Sequence, residues 1–366
     1  MIRNFRTSYK MSDIRKPQHI VHLSYTVPRP SCQDPDEWLR RVQFINGVPE
    51  ALAKHSRQTV IYNIDYKGEL TRNGVRYLFP GFKRWQLLLP FGFNRLIKKL
   101  EPDVVIVHGL IFPLQVVMLR AVTGPSLKII CQHHAEWPFK DLRILMSRWA
   151  DRYIGAYLFA SKTQAIGWTR NMSKVQEIIG ASSYFLPGER KEQSTYLWVG
   201  DLNRNKNPLL VARAFAGFAK RHGDVVLDMI YPTGELEHEL RQIASGSPAI
   251  RLVGKVDHGE MQTWFRKAQF IIASSFYEGS GIAVCEALSC GCIPILSNIP
   301  SFAAMTNNFG FGMSFDPADE TSLDSALETS YGIDREAESK KVTRFFLSEL
   351  SFEANARKIM DVIGKI

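Results

Sequence analysis

The stretch Phe276–Asn298, FYEGSGIAVCEALSCGCIPILSN, places two glutamates, Glu278 and Glu286, on either side of a glycine-containing turn. The preceding run, Phe270–Ser275, is short, apolar and rich in β-branched residues, which is typical of a buried strand. A helical pattern of apolar residues begins near Gly281, where glycine gives the backbone the freedom to turn. The order strand, glycine turn and helix predicts an α/β fold.

The predicted turn is suited to bind an anion. The first-turn amides of a helix have no intrahelical partner and lie at the positive end of its dipole. Glu278 precedes this helix and Glu286 lies inside it, so the two carboxylates bracket the anion site. Carboxylates accept hydrogen bonds from hydroxyl groups, and a nucleotide sugar carries hydroxyls on both sides of its diphosphate. The alternative is a strand-turn-helix unit of any α/β protein, with Glu286 on a solvated face.

The ordered motif EGSGIAVCEALSCGCIP, residues 278–294, resembles the E-x7-E signature and the following Ala-Cys-Gly-x-Pro turn of retaining glycosyltransferases of family four. That family has the GT-B fold, in which two Rossmann-like domains with doubly wound parallel sheets face a central cleft. The resemblance implies that Glu286 binds the nucleotide ribose and that Glu278 lies at the catalytic site near the transferred sugar. It also implies that the diphosphate lies near the amides of Ser280, Gly281 and Ile282.

A second segment, Tyr196–Gly200 with the polar loop DLNRNKNP after it, resembles the family's Gly-Arg-Leu-x-x-x-Lys-Asn segment. The resemblance places Gly200 and Lys206 at the glycine and lysine of that segment, and this lysine would neutralise the donor diphosphate. Asp201 stands at the arginine position, and Arg204 is the nearby guanidinium that could replace it. Taken alone, Arg204 and Lys206 also fit a solvated loop. The presence of Asp201 keeps a second hypothesis open: a catalytically weak or inactive GT-B-like subunit that supports a partner transferase.

The alternation of strand and helix patterns along 366 residues predicts two domains, each with a parallel sheet covered by helices. We predict an acceptor-binding domain over residues 1–190 and a nucleotide-sugar-binding domain over residues 191–350. The amphipathic segment 351–366 is expected to form a helix that, by resemblance, crosses back to the first domain. The linker is expected at Phe185–Ser194, and ligands are expected in the cleft at the carboxyl ends of the strands.

Eleven short apolar runs are predicted to be strands. In the first domain they are His19–Tyr25, Gln58–Tyr62, Val75–Phe79, Val104–His108 and Lys128–Cys131. In the second domain they are Tyr196–Val199, Val225–Tyr231, Ile250–Val253, Phe270–Ser275, Ile293–Leu296 and Gly312–Phe315.

Two adjacent histidines, His133 and His134, follow a predicted strand of the first domain. The family often has a histidine here that faces the donor, so both are candidate catalytic-site residues. A structural pair with backbone contacts is the alternative. Two neighbouring histidines do not converge on one zinc ion, and Asp34-Pro35-Asp36 is typical of a helix start. We therefore expect no metal and no cofactor, with a UDP- or GDP-sugar as the donor substrate.

The basic character of the chain belongs to its first domain. Residues 1–190 hold 28 Lys and Arg against 14 Asp and Glu, a net charge of +14, whereas residues 191–366 carry −4. The segment Lys83–Lys99 mixes bulky apolar side chains with lysines and arginines, which is typical of a membrane interface. It predicts peripheral attachment to an anionic inner membrane face and a polysaccharide or lipid-linked glycan as the acceptor. The alternative is a helix that packs on the sheet with a solvated basic face.

Other features bear on location and partners. No apolar run is long enough to span a membrane, and residues 1–16 lack the apolar segment of a secretion signal. The five cysteines fit a reducing compartment, so we expect a cytoplasmic protein. A nucleic-acid-binding protein would explain the basic first domain with Trp85, Phe91 and Phe93. That hypothesis leaves the second domain unexplained, and the sequence contains no recognisable nucleic-acid-binding module. Nucleic acid is therefore not an expected partner.

Overall fold

The computed structural model describes residues 19–180, 182–188 and 194–366. Residues 1–18 lie outside this description, and so does the expectation about the N-terminal segment. Residues 189–193 also lie outside it, and they form the middle of the predicted linker Phe185–Ser194.

The described part of the first half contains an eight-stranded sheet in the order β3-β4-β2-β1-β5-β6-β7-β8. Its strands are β1 His19–Leu23, β2 Arg57–Ile61, β3 Gly68–Arg72, β4 Val75–Phe79, β5 Val104–His108, β6 Lys128–Gln132, β7 Ala156–Phe159 and β8 Val175–Glu177. The sequence did not predict β3, β7 or β8. The sheet is parallel, as predicted, except at one edge, where β3 and β4 form an antiparallel hairpin across Asn73 and Gly74.

Six strands of the described second half form a parallel sheet in the order β11-β10-β9-β12-β13-β14. They are β9 Ser194–Val199, β10 Val225–Ile230, β11 Ile250–Gly254, β12 Phe270–Ala273, β13 Ile293–Ser297 and β14 Met313–Phe315. Every predicted strand overlaps one of the observed strands, with its ends displaced by at most two residues. Buried parallel strands read as short continuous apolar runs, which is why most of them could be located from the sequence. The buried parallel strand β7 has the same pattern and was nevertheless missed.

Helices cover both faces of each sheet, as in other doubly wound α/β folds. Those of the first half are α1 Pro35–Arg41, α2 Gln43–Leu52, α3 Arg84–Leu88, α4 Phe91–Leu100, α5 Pro113–Thr123 and α6 Arg143–Asp151. Those of the second half are α7 Pro208–Arg221, α8 Glu237–Ser245, α9 His258–Lys267, α10 Ile282–Ser289, α11 Pro300–Met305, α12 Glu320–Gly332, α13 Arg335–Phe345 and α14 Phe352–Lys365. Within the described ranges, no helix is both long and apolar enough to cross a membrane.

The last helix, α14, returns to the first domain. Its apolar face shares one buried cluster with α2 and with strands of the first sheet. The approach of α14 to α2 is close, because a Cβ on Gly47 would lie 2.5 Å from ring atoms of Phe352. The chain therefore crosses between the two domains a second time, at α14.

Candidate active site

A cleft of about 1160 Å³ lies between the two domains, at the carboxyl ends of strands from both sheets. Loops after β9, β10, β11 and β12 line it from the second domain. The loop after β6 and the helices α1 and α2 line it from the first domain. Open parallel sheets bind their ligands at this edge, so the cleft is the candidate active site.

One helix presents an uncapped N-terminus to the cleft. Helix α10 begins at Ile282, no side chain caps it, and its N-cap Gly281 has a left-handed φ of 52°. A Cβ on Gly281 would also lie only 3.0 Å from the ring of Phe302. Ser280, Gly281 and Ile282 all line the cleft, so the first-turn amides are available to an anion there.

The loop after β12 carries Glu278, whose carboxylate binds the cleft lysine. Lys206 Nζ donates to Glu278 Oε1, and Ser275 Oγ donates to the same oxygen at 2.6 Å. Both partners are largely buried, with the side chain of Glu278 14% exposed and that of Lys206 27% exposed. Gly200 lies beside this lysine, and a Cβ there would lie 3.2 Å from the ring of Trp198 and in ordinary contact with Lys206 Cδ at 3.5 Å. Two residues from separate motifs therefore form one charged unit in the cleft.

The second glutamate of the motif, Glu286, is buried in α10 and still borders the cleft. Its Oε1 lies 2.6 Å from Nε2 of His258, the first residue of α9. That hydrogen bond to a carboxylate raises the pKa of His258 above its ordinary value, and burial opposes this only in part. The other imidazole nitrogen, Nδ1, lies 2.8 Å from Nε2 of Gln43 in the first domain. The contact therefore links the two walls of the cleft.

His258 was not predicted from the sequence. Its position shortly after β11, at the carboxyl end of a parallel strand, is the same signal that singled out His133 and His134. Its pairing with Glu286 and Gln43 could not be inferred from sequence, because Gln43 is 215 residues away.

His133 does not face the cleft. Its side chain is 1% exposed and its ring stacks on Phe159 with centroids 4.8 Å apart. Its Nε2 lies 3.0 Å from the carbonyl oxygen of Glu136, and burial lowers its pKa. The assignment of His133 to the cleft wall is therefore wrong, and the alternative of a structural histidine with a backbone contact describes it. His134 does line the cleft.

His134 ends a chain of three hydrogen-bonded imidazoles. Its Nε2 lies 3.0 Å from Nδ1 of His108, whose Nε2 lies 3.2 Å from Nδ1 of His22. Nε2 of His22 contacts Oε1 of Gln58, and the amide nitrogen of Gln58 donates to Ser56 Oγ. Because the Gln58 oxygen can only accept, Nε2 of His22 carries the proton and Nδ1 of His22 is an acceptor. His108 therefore donates from its Nε2 to His22, and His134 donates from its Nε2 to Nδ1 of His108. Burial lowers the pKa of all three histidines, that of His22 to about 4, so the rings are neutral near pH 7.

The charged residues of the cleft differ in part from the expected set. Asp201 lines the cleft, but Arg204 is exposed and does not, and its backbone amide lies 3.4 Å from Oε1 of Glu235. Other cations that line the cleft come from α1 and from the loop after β11: Arg40, Arg41 and Lys255. In the described ranges, no group of three His, Cys, Asp or Glu side chains could hold a metal ion.

Loops of the two domains touch beside the cleft. A Cβ on Gly279 would lie 2.7 Å from the Cβ of Ala135, so this contact requires glycine. Ala135 itself has a left-handed φ of 74°. The rings of Trp137 and Tyr277 stack with centroids 4.5 Å apart, which extends the contact outward.

Known proteins resemble this chain in sequence and in fold. The family model described as glycosyl transferases group 1 matches residues 185–340. A GDP-mannose:cellobiosyl-diphosphopolyprenol alpha-mannosyltransferase of Xanthomonas oryzae is 43% identical over 54 residues, which are 15% of this chain and 14% of that protein. A D-inositol 3-phosphate glycosyltransferase of Paenarthrobacter aurescens is 25% identical over 152 residues, which are 40% of this chain and 37% of that protein. The chain thus spans well under half the length of these relatives.

Among solved structures, the sucrose-phosphate synthase of Thermosynechococcus elongatus superimposes with a TM-score of 0.66 at 14% identity. The match covers 93% of this chain and 97% of that one. The fold is therefore GT-B, as the sequence predicted. Over residues 185–340, this chain is similar to the family of glycosyl transferases group 1.

Proposed function

We propose that this protein is a retaining glycosyltransferase of family four that moves a sugar from a nucleotide-sugar donor to a polysaccharide or lipid-linked glycan. The observation that carries the proposal is the convergence, in one cleft, of the uncapped N-terminus of α10, the Lys206–Glu278 pair and Glu286. A diphosphate, a sugar and a ribose need these three kinds of group.

In this proposal the diphosphate binds at the amides of Ser280, Gly281 and Ile282, with Lys206 beside it. These groups stabilise the negative charge that develops on the departing nucleotide. Glu278 keeps the ammonium group in place and borders the transferred sugar, while Glu286 accepts hydrogen bonds from the ribose hydroxyls. His134 lines the opposite wall with its tautomer fixed by His108. UDP- and GDP-sugars are the expected donors.

The acceptor would bind on the side of the first domain, whose surface also fits a membrane. Leu87, Phe93 and Ile97 are buried, as the packing alternative requires. The same segment leaves a second set of apolar side chains on the surface, Trp85, Leu88, Leu89 and Phe91, with Trp85 70% exposed. Exposed aromatic and leucine side chains beside basic residues suit an anionic membrane face, where lipid-linked acceptors lie.

A second candidate function is an inactive or weakly active subunit that supports a partner transferase. The observation that favours it is Asp201, a negative charge in the cleft where the family has an arginine. Like charges repel, so Asp201 opposes the binding of a diphosphate. Arg40, Arg41 and Lys255 counter it with positive charge from other elements. We therefore favour the active transferase.

A thermal-shift screen with UDP, GDP, ADP and their sugar conjugates tests the proposal. A ligand that binds only the native state raises its melting temperature. One nucleotide class should raise the melting temperature of the wild type and of Glu260→Ala, a change at an exposed glutamate of α9 outside the cleft. The same ligand should have no effect on Glu286→Ala. No shift with any nucleotide would favour the inactive subunit.

Retention at the anomeric carbon has a test of its own once a donor is known. The configuration of the product's new glycosidic bond is measured by NMR from its anomeric coupling constants. A product with the configuration of the donor is expected. An inverted product would reject the retaining assignment while leaving the transferase function standing.

A further inference from the structure

One of the two carboxylate oxygens of Glu286 is already engaged within the protein. Oε1 accepts from Nε2 of His258 at 2.6 Å, and hydrogen bonds to carboxylates are among the strong ones. The other oxygen, Oε2, is hydrogen-bonded to none of the residues that the structure describes, and this atom is not enclosed. The side chain of Glu286 is 7% exposed and borders the cleft, so Oε2 is the oxygen left for a ligand.

His258 is held in its position from three sides. Its Nε2 donates to Glu286, and its Nδ1 lies 2.8 Å from Nε2 of Gln43, which reaches it from the first domain. Its ring packs on that of Phe185, with centroids 5.3 Å apart, and Phe185 packs in turn on the buried ring of Phe265. A nucleotide that displaced the imidazole would have to break all of these contacts. We therefore expect the bond between His258 and Glu286 to persist when a nucleotide is bound.

Glu286 lies one turn inside the helix that is proposed to hold the diphosphate. It follows Ile282, the first residue of α10, by four residues, which is about 6 Å along the helix axis. The side chains of a helix lean toward its N-terminus, so the carboxylate leans back toward the anion site. A ribose joined to a diphosphate at the N-terminus therefore lies within reach of Oε2.

The remaining carboxylates of the cleft do not offer the ribose an equal second acceptor. Glu278 already accepts from a lysine and a serine. Glu37, Asp201 and Asp257 also line the cleft, and all three are exposed. A hydroxyl that leaves water for an exposed carboxylate gains little net free energy, because it exchanges one hydrogen bond for another. The ribose therefore finds one strong acceptor in the cleft, the free oxygen of the buried glutamate.

A ribose carries two neighbouring hydroxyls, at its 2′ and 3′ carbons. A free carboxylate can accept from both of them, one at each oxygen. Because Oε1 of Glu286 is occupied by His258, the carboxylate accepts from one ribose hydroxyl. A 2′-deoxyribose keeps its 3′ hydroxyl and can supply that single hydrogen bond.

We infer that His258 limits the contact between Glu286 and the ribose to one hydroxyl, so that the donor site accepts a 2′-deoxyribose as readily as a ribose. The inference rests on the proposed transferase function and narrows the role of Glu286 within it. It widens the donor class to sugars carried by 2′-deoxynucleoside diphosphates, such as dTDP-sugars.

Calorimetric titration of the purified chain with matched nucleotides tests the inference. The probes are UDP, GDP and ADP, each with its 2′-deoxy and 2′,3′-dideoxy counterpart. For the base that binds, the affinities of the ribo and 2′-deoxy forms should differ by less than about threefold, because each form keeps one hydrogen bond to Oε2. The dideoxy form should bind at least about tenfold more weakly, since a hydrogen bond to a charged group is lost.

His258→Phe removes the competing donor and keeps a ring against Phe185. Both oxygens of Glu286 can then accept from the diol, so the ribo form should bind about tenfold more tightly than the 2′-deoxy form. His258→Gln is the conservative variant, whose amide still donates to the carboxylate, and it should keep the wild-type ratio of affinities. The control His238→Phe, at an exposed histidine of α8 outside the cleft, should also keep that ratio. The wild-type comparison stands by itself if His258→Phe does not fold.

Two results would overturn the inference and leave a nucleotide site standing. One is a wild type that binds the 2′-deoxy form more than about threefold less tightly than the ribo form. The other is a folded His258→Phe variant with the wild-type ratio. Equal binding of all three forms would also overturn the inference, because the nucleotide's ribose would then not contact Glu286. If no nucleotide binds in any form, the proposed function fails and the inference fails with it.

Discussion

Nε2 of His258 lies 2.6 Å from Oε1 of Glu286, so the glutamate proposed to bind ribose already has a partner within the protein. The imidazole is about half exposed and the carboxylate is buried. Gln43 holds the opposite nitrogen of the ring from the first domain. His258 therefore links Glu286, in the proposed donor site, to Gln43 on the first-domain wall of the cleft.

This contact predicts a pH-dependent contribution to stability. Glu286 raises the folded-state pKa of His258 above 6.5, so the contribution is fully present below 6.5 and is lost as the pH rises through the raised pKa. The loss of unfolding free energy caused by His258→Gln should be larger at about pH 6 than at about pH 8. It should stay below about 1 kcal/mol, because the ring is half exposed.

Urea unfolding at several pH values measures this difference. His55→Gln, at an exposed histidine of the first domain, is the matched control and should show no such trend. A destabilisation by His258→Gln that grew with pH would contradict the contact between His258 and Glu286.

The contact between Gly279 and Ala135 predicts a steric effect on the cleft. Gly279→Ala would place a Cβ 2.7 Å from that of Ala135 and 2.9 Å from its backbone nitrogen, so the two loops must separate. The variant should lose donor binding and transfer activity with little change in overall unfolding. Gly217→Ala is the matched control, because it lies outside the cleft and a Cβ there would make only an ordinary contact, 3.8 Å from Arg221 Nη1.

Nucleotide titration of both glycine variants checks this expectation. Gly217 lies inside α7, where alanine is favoured over glycine by roughly 0.5–1 kcal/mol, so its variant should be equally or more stable. Equal nucleotide affinity in Gly279→Ala and the wild type would show that the loop contact does not shape the donor site.

The charge of Asp201 predicts that its removal strengthens donor binding. Asp201→Asn removes a negative charge from the cleft with little change in shape, and Asp201→Arg restores the cation found in the family. Both variants should bind the nucleoside diphosphate more tightly than the wild type does, with the arginine variant tightest. Binding of the nucleoside without phosphates should be the same in all three proteins.

Calorimetric titration distinguishes the outcomes for Asp201. Weaker diphosphate binding in Asp201→Asn would mean that the aspartate serves the ligand directly. That result would contradict the view that it opposes the phosphate.

The exposed apolar set on the first domain predicts attachment to anionic membranes. The wild type should float with vesicles that contain phosphatidylglycerol, and less so at high salt, because the attraction of basic residues to lipid is screened. Trp85→Ser combined with Leu88→Ser should reduce flotation. Leu347→Ser, at an exposed leucine of the second domain, is the control. Flotation independent of anionic lipid would remove the membrane proposal.

The sequence predicted the parts of this molecule that depend on local patterns. Buried parallel strands appear as apolar runs, and the turn before α10 needs glycine at 281, where φ is positive and a side chain would contact Phe302. Strand β3 was missed because its residues are mostly exposed and it lies at the sheet edge. An exposed edge strand carries no continuous apolar signal.

Contacts between distant residues could not be read from the sequence. Lys206 and Glu278 were both singled out, but their ion pair joins positions 72 residues apart. His133 and His134 are neighbours with the same local pattern, and tertiary contacts, among them the stacking of His133 on Phe159, bury His133.

Hydrogen–deuterium exchange of the full-length chain, with and without the nucleotide identified by thermal shift, locates the donor site. The nucleotide should slow exchange of amides in the segment 278–286, at the N-terminus of α10, and in the loop 200–206. Glu286→Ala should abolish this protection at the same nucleotide concentration. Protection confined to the first domain, or protection of the second domain that survives Glu286→Ala, would contradict a nucleotide-sugar site built on these residues.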